Sequence, residues 1–221
     1  LRDMVLHELE PFEKKVGFCS QDITSQSGRE AIFSRFTKDF GQFDFLINNA
    51  RYRNKRCLDE PEEEWHMALN VTLSAPFFLS RMFINQASRG GVIVNICSPA
   101  SFMATGESPS YHAAKSGLLG LTKYLAVHAG EKQVRVNAIS PGLVVQDQHR
   151  ERFLAQSNSA YRKMAERYQP MGFVGEEGDV AKLVCFICSD DARYLSGECI
   201  SLDGSATVQD QFFLLNKINT D

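Results

Sequence analysis

The sequence predicts an α/β fold: a parallel sheet covered on both faces by helices, in three layers. Two observations carry that reading. Apolar runs of strand length alternate with runs of helical periodicity from end to end. The strand runs are continuously apolar, as strands buried on both faces are, rather than apolar on every second residue. The composition agrees. A chain of 221 residues with 43% hydrophobic and 23% charged residues makes one globular domain over 1–221, without linker, repeat or low-complexity segment.

Taken in order, "KVGFCSQDI" reads as a short strand over Val16 to Cys19 entering a polar turn. In "SQSGREAIFSRFTKDFG", Ile32, Phe33, Phe36 and Phe40 recur at helical spacing and Gly41 stops the helix. "FDFLINNA" is a strand, followed by the basic loop "RYRNKRC". "PEEEWHMALNVTLSAPFFLSRMFINQA" opens with Pro61 and three acids, a helix N-terminus, with a bend expected at Pro76. "GGVIVNICS" is a buried strand, "SPSYHAAKSGLLGLTKYLAVHAG" a long helix and "VRVNAISPG" a further strand. A polar amphipathic stretch, 146–175, precedes the helix "EGDVAKLVCFICSDDARYL" and the last strand, "GECISLDGS". The tail, 206–221, carries no pairing pattern.

A net charge of -3 gives no basic field for nucleic acid. The reading finds no apolar run of membrane-spanning length and no signal peptide. Six cysteines in a chain this long are not a disulfide framework; they read as buried free thiols of a reducing, cytoplasmic compartment. Cys185 and Cys188 have the spacing of a metal or redox pair. They lie in an apolar stretch with no second pair, so core packing is expected and no metal site is assigned.

Within the long helix, Tyr111 and Lys115 are four residues apart, about one turn, and so share a face. Ser98 ends the preceding strand, and ligands of parallel sheets bind beyond such strand ends. Asn70 sits in the helix before it. Singly, each residue has an ordinary structural reading: a core tyrosine, a solvated lysine, a strand end, a backbone-bonding asparagine. A phenol titrates near about 10, and a neighbouring ammonium favours its ionised form, so Tyr111 beside Lys115 is a candidate acid–base group.

Together with "NNA" at Asn48–Ala50, "VRVNAISPG" and "SLDGS", in this order over about residues 16–205, these residues resemble the short-chain dehydrogenase/reductase family. The resemblance implies a Rossmann-type, doubly wound sheet, NAD or NADP as cofactor, and a catalytic set of Asn70, Ser98, Tyr111 and Lys115. Tyr111 would exchange the proton with the substrate oxygen while hydride moves to or from the cofactor. Ser98 would donate to that oxygen, and Lys115 would hold the nicotinamide ribose. Asn70 would hold a water behind Lys115. Cofactor contacts are implied at Asp22, Ile23, Asn49, Ala50, Tyr111, Lys115, Pro141, Gly142 and Val144. Asp22 is otherwise a turn or cap residue. A homodimer or homotetramer is implied too, with the Asn70 and Tyr111 helices pairing across a two-fold axis and "QFFLL" in a second interface.

The sequence departs from the family in three places. No Gly-x-x-x-Gly-x-Gly occurs, and the chain begins at Leu1 near the helix after the second strand. The expectation is a fragment of a longer chain whose first two strands are missing. In the order 3-2-1-4-5-6 those strands are central, so the Val16–Cys19 strand would be parted from "FDFLI". Arg51 stands where the family has glycine, poised either to crowd the cofactor or to approach its phosphates. Gln146 stands near a threonine that would bond the carboxamide. Residues 146–175 form the expected substrate lid. Its Arg162, Lys163 and Arg167 suit either an anionic substrate or a solvated face. Phe102, Met103 and Met171 suit either a pocket or the core. The function expected is hydride transfer between the nicotinamide and a secondary alcohol or ketone. The alternative is a degenerate or truncated member acting as a binding or regulatory subunit.

Overall fold

The computed structural model describes residues 16–88 and 90–219. Four parallel strands form the central sheet in the order β1-β2-β3-β6: β1 Phe45–Asn48, β2 Gly91–Ile96, β3 Val134–Pro141 and β6 Cys199–Leu202. Register is set by pairs such as Ile47 with Val94, Val94 with Asn137, and Ile139 with Ile200. Alternate residues of β2 face opposite layers. Ile93 joins Leu79, Phe83, Leu125 and Val136 on one face; Val92 and Val94 join Ile139 and Ile187 on the other. This is why the strand runs are apolar without alternation.

The first face is covered by α1 Gln26–Phe40, by α2 Glu62–Leu69 continuing through a π turn, Asn70–Ser74, into α3 Ala75–Gln86, and by α4 Pro109–His128. The second is covered by α7 Glu177–Cys188. Between β3 and α7 lie β4 Val144–Val145, α5 Asp147–Leu154, α6 Ser159–Tyr168 and β5 Gly175–Glu176. The two-residue strands β4 and β5 pair with each other and tie both ends of the lid segment together. The tail forms α8, Gln211–Asn219, for which the sequence gave no pattern.

Four expectations are corrected. Val16–Cys19 is irregular backbone, not a strand, because no strand among the described residues lies beside it to complete a ladder. The irregularity expected at Pro76 falls in the turn before it: a π turn ends at Ser74, with the Ala75 N–H donating to Asn70 C=O, and this wider turn makes room for a ring that would crowd the carbonyl one turn back. Glu62–Gln86 is, by length and composition alone, apolar enough to cross a membrane. Its Leu79 and Phe83 pack on the sheet as core residues. Cys185 is exposed rather than core, since on α7 the residues facing the sheet are Leu183, Val184, Ile187 and Cys188. All six cysteines are free; Cys97 alone is buried.

Candidate active site

The start of α4 is built by polar contacts that the apolar pattern does not announce. The Ser108 hydroxyl accepts from Tyr111 N–H at 3.3 Å, capping the helix. Ser110 donates its N–H to Glu60 at 3.0 Å and its hydroxyl to the same carboxylate at 2.5 Å. Burial pushes the Glu60 carboxyl up, but bonds from Ser110 and Asn54 more than offset this and hold it below the usual range. A carboxylate at the positive end of a helix dipole adds to that balance. His112 donates from Nδ1 to Ser108 C=O at 2.8 Å and accepts at Nε2 from Thr105 N–H at 2.9 Å, which ties the 99–108 loop to the helix.

Tyr111 and Lys115 are carried inward by this anchored turn, and are only 4% and 2% exposed. The Lys115 ammonium lies 5.6 Å from the Tyr111 ring centroid. It donates to Ile96 C=O at 2.5 Å, at the carboxyl end of β2 and two residues before Ser98. Burial lowers the Lys115 pKa to about 8. The Cys97 thiol opposes the shift and the Arg51 guanidinium adds to it. Ser98 is half-buried and extended, its Oγ accepting from Ala100 N–H at 3.3 Å, and Ser101 Oγ donates to Lys115 C=O at 3.0 Å. Ser98, Tyr111 and Lys115 therefore converge on one strand end. Asn70 is exposed on the π turn, which packs against α4; its carbonyl is taken by that turn, and among the described residues its side chain makes no bond to Lys115.

The remaining candidates divide by what already occupies them. Asp22 accepts from the N–H and the hydroxyl of Thr24 at 2.9 and 2.7 Å, which hold its carboxyl below the ordinary value. This is a turn residue's arrangement. Ile23 is half-buried, its carbonyl accepting from Arg29 at 2.7 Å. Asn49 and Ala50 are exposed just beyond β1. Pro141, Gly142 and Val144 line the end of β3, all half-buried. Gly142 approaches the β6 turn so closely that a Cβ would stand 2.7 Å from Asp203 Cα. Gln146 is exposed and accepts from Gln148. Phe102 and Met171 are exposed, which removes them from the core.

Sequence reasoning missed a buried chain of amides. Asn48 Nδ2 donates to Ser80 Oγ at 3.2 Å and to Asn95 Oδ1 at 2.8 Å, and Asn95 Nδ2 donates to Thr122 Oγ1 at 2.9 Å. It joins α3, β1, β2 and α4 directly behind the site. The available signal was an asparagine inside each of two apolar strands, since buried amides demand partners.

Comparison with known proteins places these features. Residues 3–207 match a family model described as enoyl-(acyl carrier protein) reductase. The 7alpha-hydroxysteroid dehydrogenase of Bacteroides fragilis is 34% identical over 181 residues, 77% of this chain and 67% of that protein. The 2-dehydro-3-deoxy-D-gluconate 5-dehydrogenase of Escherichia coli is 32% identical over 188 residues, 83% of this chain and 73% of its own. A solved 4-hydroxyisoleucine dehydrogenase mutant, complexed with NADH and succinate, superposes with a TM-score of 0.82 at 28% identity, covering 93% of this chain and 85% of that one.

Proposed function

The chain belongs to the short-chain dehydrogenase/reductase family, and on that premise we propose that it is an NAD(P)-dependent oxidoreductase acting on a secondary alcohol or ketone. One observation carries the reading: a buried lysine and a buried tyrosine, one helical turn apart, sit at the end of β2 beside Ser98. Lys115 also supports the cofactor assignment. Its ammonium has three N–H donors and spends one on Ile96; among the described residues no other acceptor is recorded for it. Vicinal ribose hydroxyls are fitting acceptors for the rest. Asn49, Ala50, Pro141, Gly142 and Val144 would flank the same group, while Asp22 and Ile23 would meet its adenine end. The cofactor, NAD or NADP, supplies or accepts the hydride.

In ketone reduction Tyr111 donates its proton to the carbonyl oxygen, Ser98 donates a hydrogen bond to the same oxygen, and Lys115 stabilises the phenolate left behind. Asn70 would hold the water that returns the proton. The protein is proposed to be cytoplasmic, in keeping with six free thiols, and to act as a homodimer or homotetramer. Between α3 and α4 runs an exposed apolar groove of about 430 Å³, lined by residues such as Phe77, Phe78, Leu121 and Tyr124, and a second copy would cover it. Phe212, Phe213 and Leu215 on α8 offer a second exposed face.

A second reading, a binding subunit without turnover, is favoured by the Arg51 charge beside Lys115. The deciding experiment is titration of NADH and NADPH while following nicotinamide fluorescence, then turnover on steroid, sugar-acid and simple ketone panels. Enhanced fluorescence and a turnover abolished by Tyr111→Phe support the enzyme. Neither cofactor binding, or a Tyr111→Phe variant at full rate, rejects it.

A further inference from the structure

The loop after β1 carries two arginines, Arg51 and Arg53, at the carboxyl end of the parallel sheet, where ligands of such sheets bind. Its middle is pinned: Tyr52 N–H donates to Thr72 Oγ1, a buried hydroxyl offered by the π turn, at 3.1 Å. On one side of the pin, Arg51 acts on Lys115. On the other, Arg53 is forked to Glu107, which stands four residues before Tyr111 at the start of α4. Its guanidinium is held above its ordinary value by the bonds to Glu107, against burial, and by the charge of that carboxylate. Glu107 belongs to the loop between Ser98 and Tyr111, which the Thr105–His112 bond fastens to α4.

We propose that Arg53 binds a carboxylate of the substrate, so that the chain selects keto and hydroxy acids over neutral ketones and alcohols. This rests on the oxidoreductase reading above. Glu107 already displays the geometry: Arg53 Nε donates to one of its oxygens at 2.7 Å and Nη2 donates to the other. That fork takes two of the five guanidinium N–H groups and fixes the plane of the rest. No other acceptor is recorded for Arg53 among the described residues, and half of its side chain is open to solvent. The carboxylates at this end of the sheet are already bonded, Glu107 to Arg53 and Glu60 to Ser110 and Asn54, which leaves the remaining donors of Arg53 for an acceptor from outside the chain. A carboxylate a few bonds from the reacting carbonyl would meet Arg53 while the carbonyl oxygen meets Tyr111. The lid cations that the sequence offered for this task are less suited, since Arg162 donates to Leu154 C=O at 2.8 Å and closes the end of α5. Glu107 acts as a positioning residue for Arg53.

The test compares acids with their own esters: acetoacetate against methyl acetoacetate, and levulinate against methyl levulinate, with NADH and NADPH. The expected kcat/KM ratio of acid to ester is about 30-fold or more in at least one pair, as charge-assisted bidentate contacts supply. Arg53→Ala should bring that ratio near unity, chiefly through the KM of the acid, and Arg53→Lys should restore only part of it. A ratio near unity in the unmodified chain overturns the proposal, as does an Arg53→Ala variant that slows acid and ester alike. Tyr111-dependent turnover of the esters would in that case leave the oxidoreductase reading standing. Where nothing turns over, that reading fails, and calorimetric titration with levulinate and methyl levulinate decides. Binding of the acid alone, lost in Arg53→Ala, upholds the site; no binding, or equal binding of the ester, overturns it.

Discussion

The two halves of α4 invert the usual rule of burial in opposite ways. Its first turns are polar and buried, Lys115 being 2% exposed, whereas its later turns are apolar and open, with Tyr124 57% and Val127 76% exposed. Charged residues are rarely buried unless paired, and large apolar residues rarely gather on a free surface without a partner. One helix thus carries a costly charge at one end and an uncovered groove at the other. Under the proposed function, a reacting molecule at the first and a second copy at the second would offset these costs. The contrast also assigns stability and function to different turns.

The strongest way to break the contrast is at the buried end. Tyr111→Phe should lower turnover by about three orders of magnitude or more while leaving the fold intact. Lys115→Met should lose turnover similarly yet raise the thermal midpoint, because it removes a desolvated ammonium; a lower midpoint would show that the charge supports the fold. At the open end, Leu121→Glu should weaken self-association by about 100-fold, the scale of a central interface residue, as read by light scattering against concentration. A chain that is monomeric before the change would remove the groove's meaning. Between the halves stands Thr122, which closes the amide chain. Thr122→Val leaves Asn95 Nδ2 without its acceptor, and should cost about 1–3 kcal/mol in urea unfolding.

The smallest effect is in pH. The Lys115 pKa is lowered from 10.5 to about 8 in the folded chain. Below about 8 the amine is protonated folded and unfolded alike, and its burial cost is present in full. Between there and 10.5 the unfolded chain binds more protons, so this group's contribution makes stability rise with pH across that window. The rate of ketone reduction should fall through the same lower value as Lys115 loses its charge. Arg51→Gly removes a neighbouring cation and should carry that falling limb to higher pH. A limb that stays in place would mean that Arg51 turns away from Lys115 in solution.

What was legible in the sequence was what neighbours decide. β1, β2, β3 and β6 were read from continuous apolar runs, and the helix of Tyr111 and Lys115 from its periodicity. Whether Val16–Cys19 becomes a strand depends on an adjacent strand and not on its own residues, so it was misread. Cys185 was placed in the core because its stretch is apolar on the whole, although only one side of α7 meets the sheet. Arg53 with Glu107, Ser110 with Glu60, and Asn48 with Asn95 join positions tens of residues apart. No local pattern announces such pairs. The approach of Tyr111 and Lys115 was readable because both lie on one turn; what surrounds them was not.

The π turn has a consequence for evolution and design. The buried positions Ala68, Thr72, Pro76 and Ser80 run through it every fourth residue, joined by Ala75, Leu79 and Phe83, so the inward face is continuous across the wider turn. A single-residue deletion within 70–74 would close that turn to an α-helical one and rotate everything upstream by about 100° about the helix axis. It would carry Ala68 off the core and displace the Thr72 hydroxyl from the Tyr52 N–H that it holds. One extra residue in a helical turn, invisible in composition, thereby decides where two cations stand some twenty residues earlier.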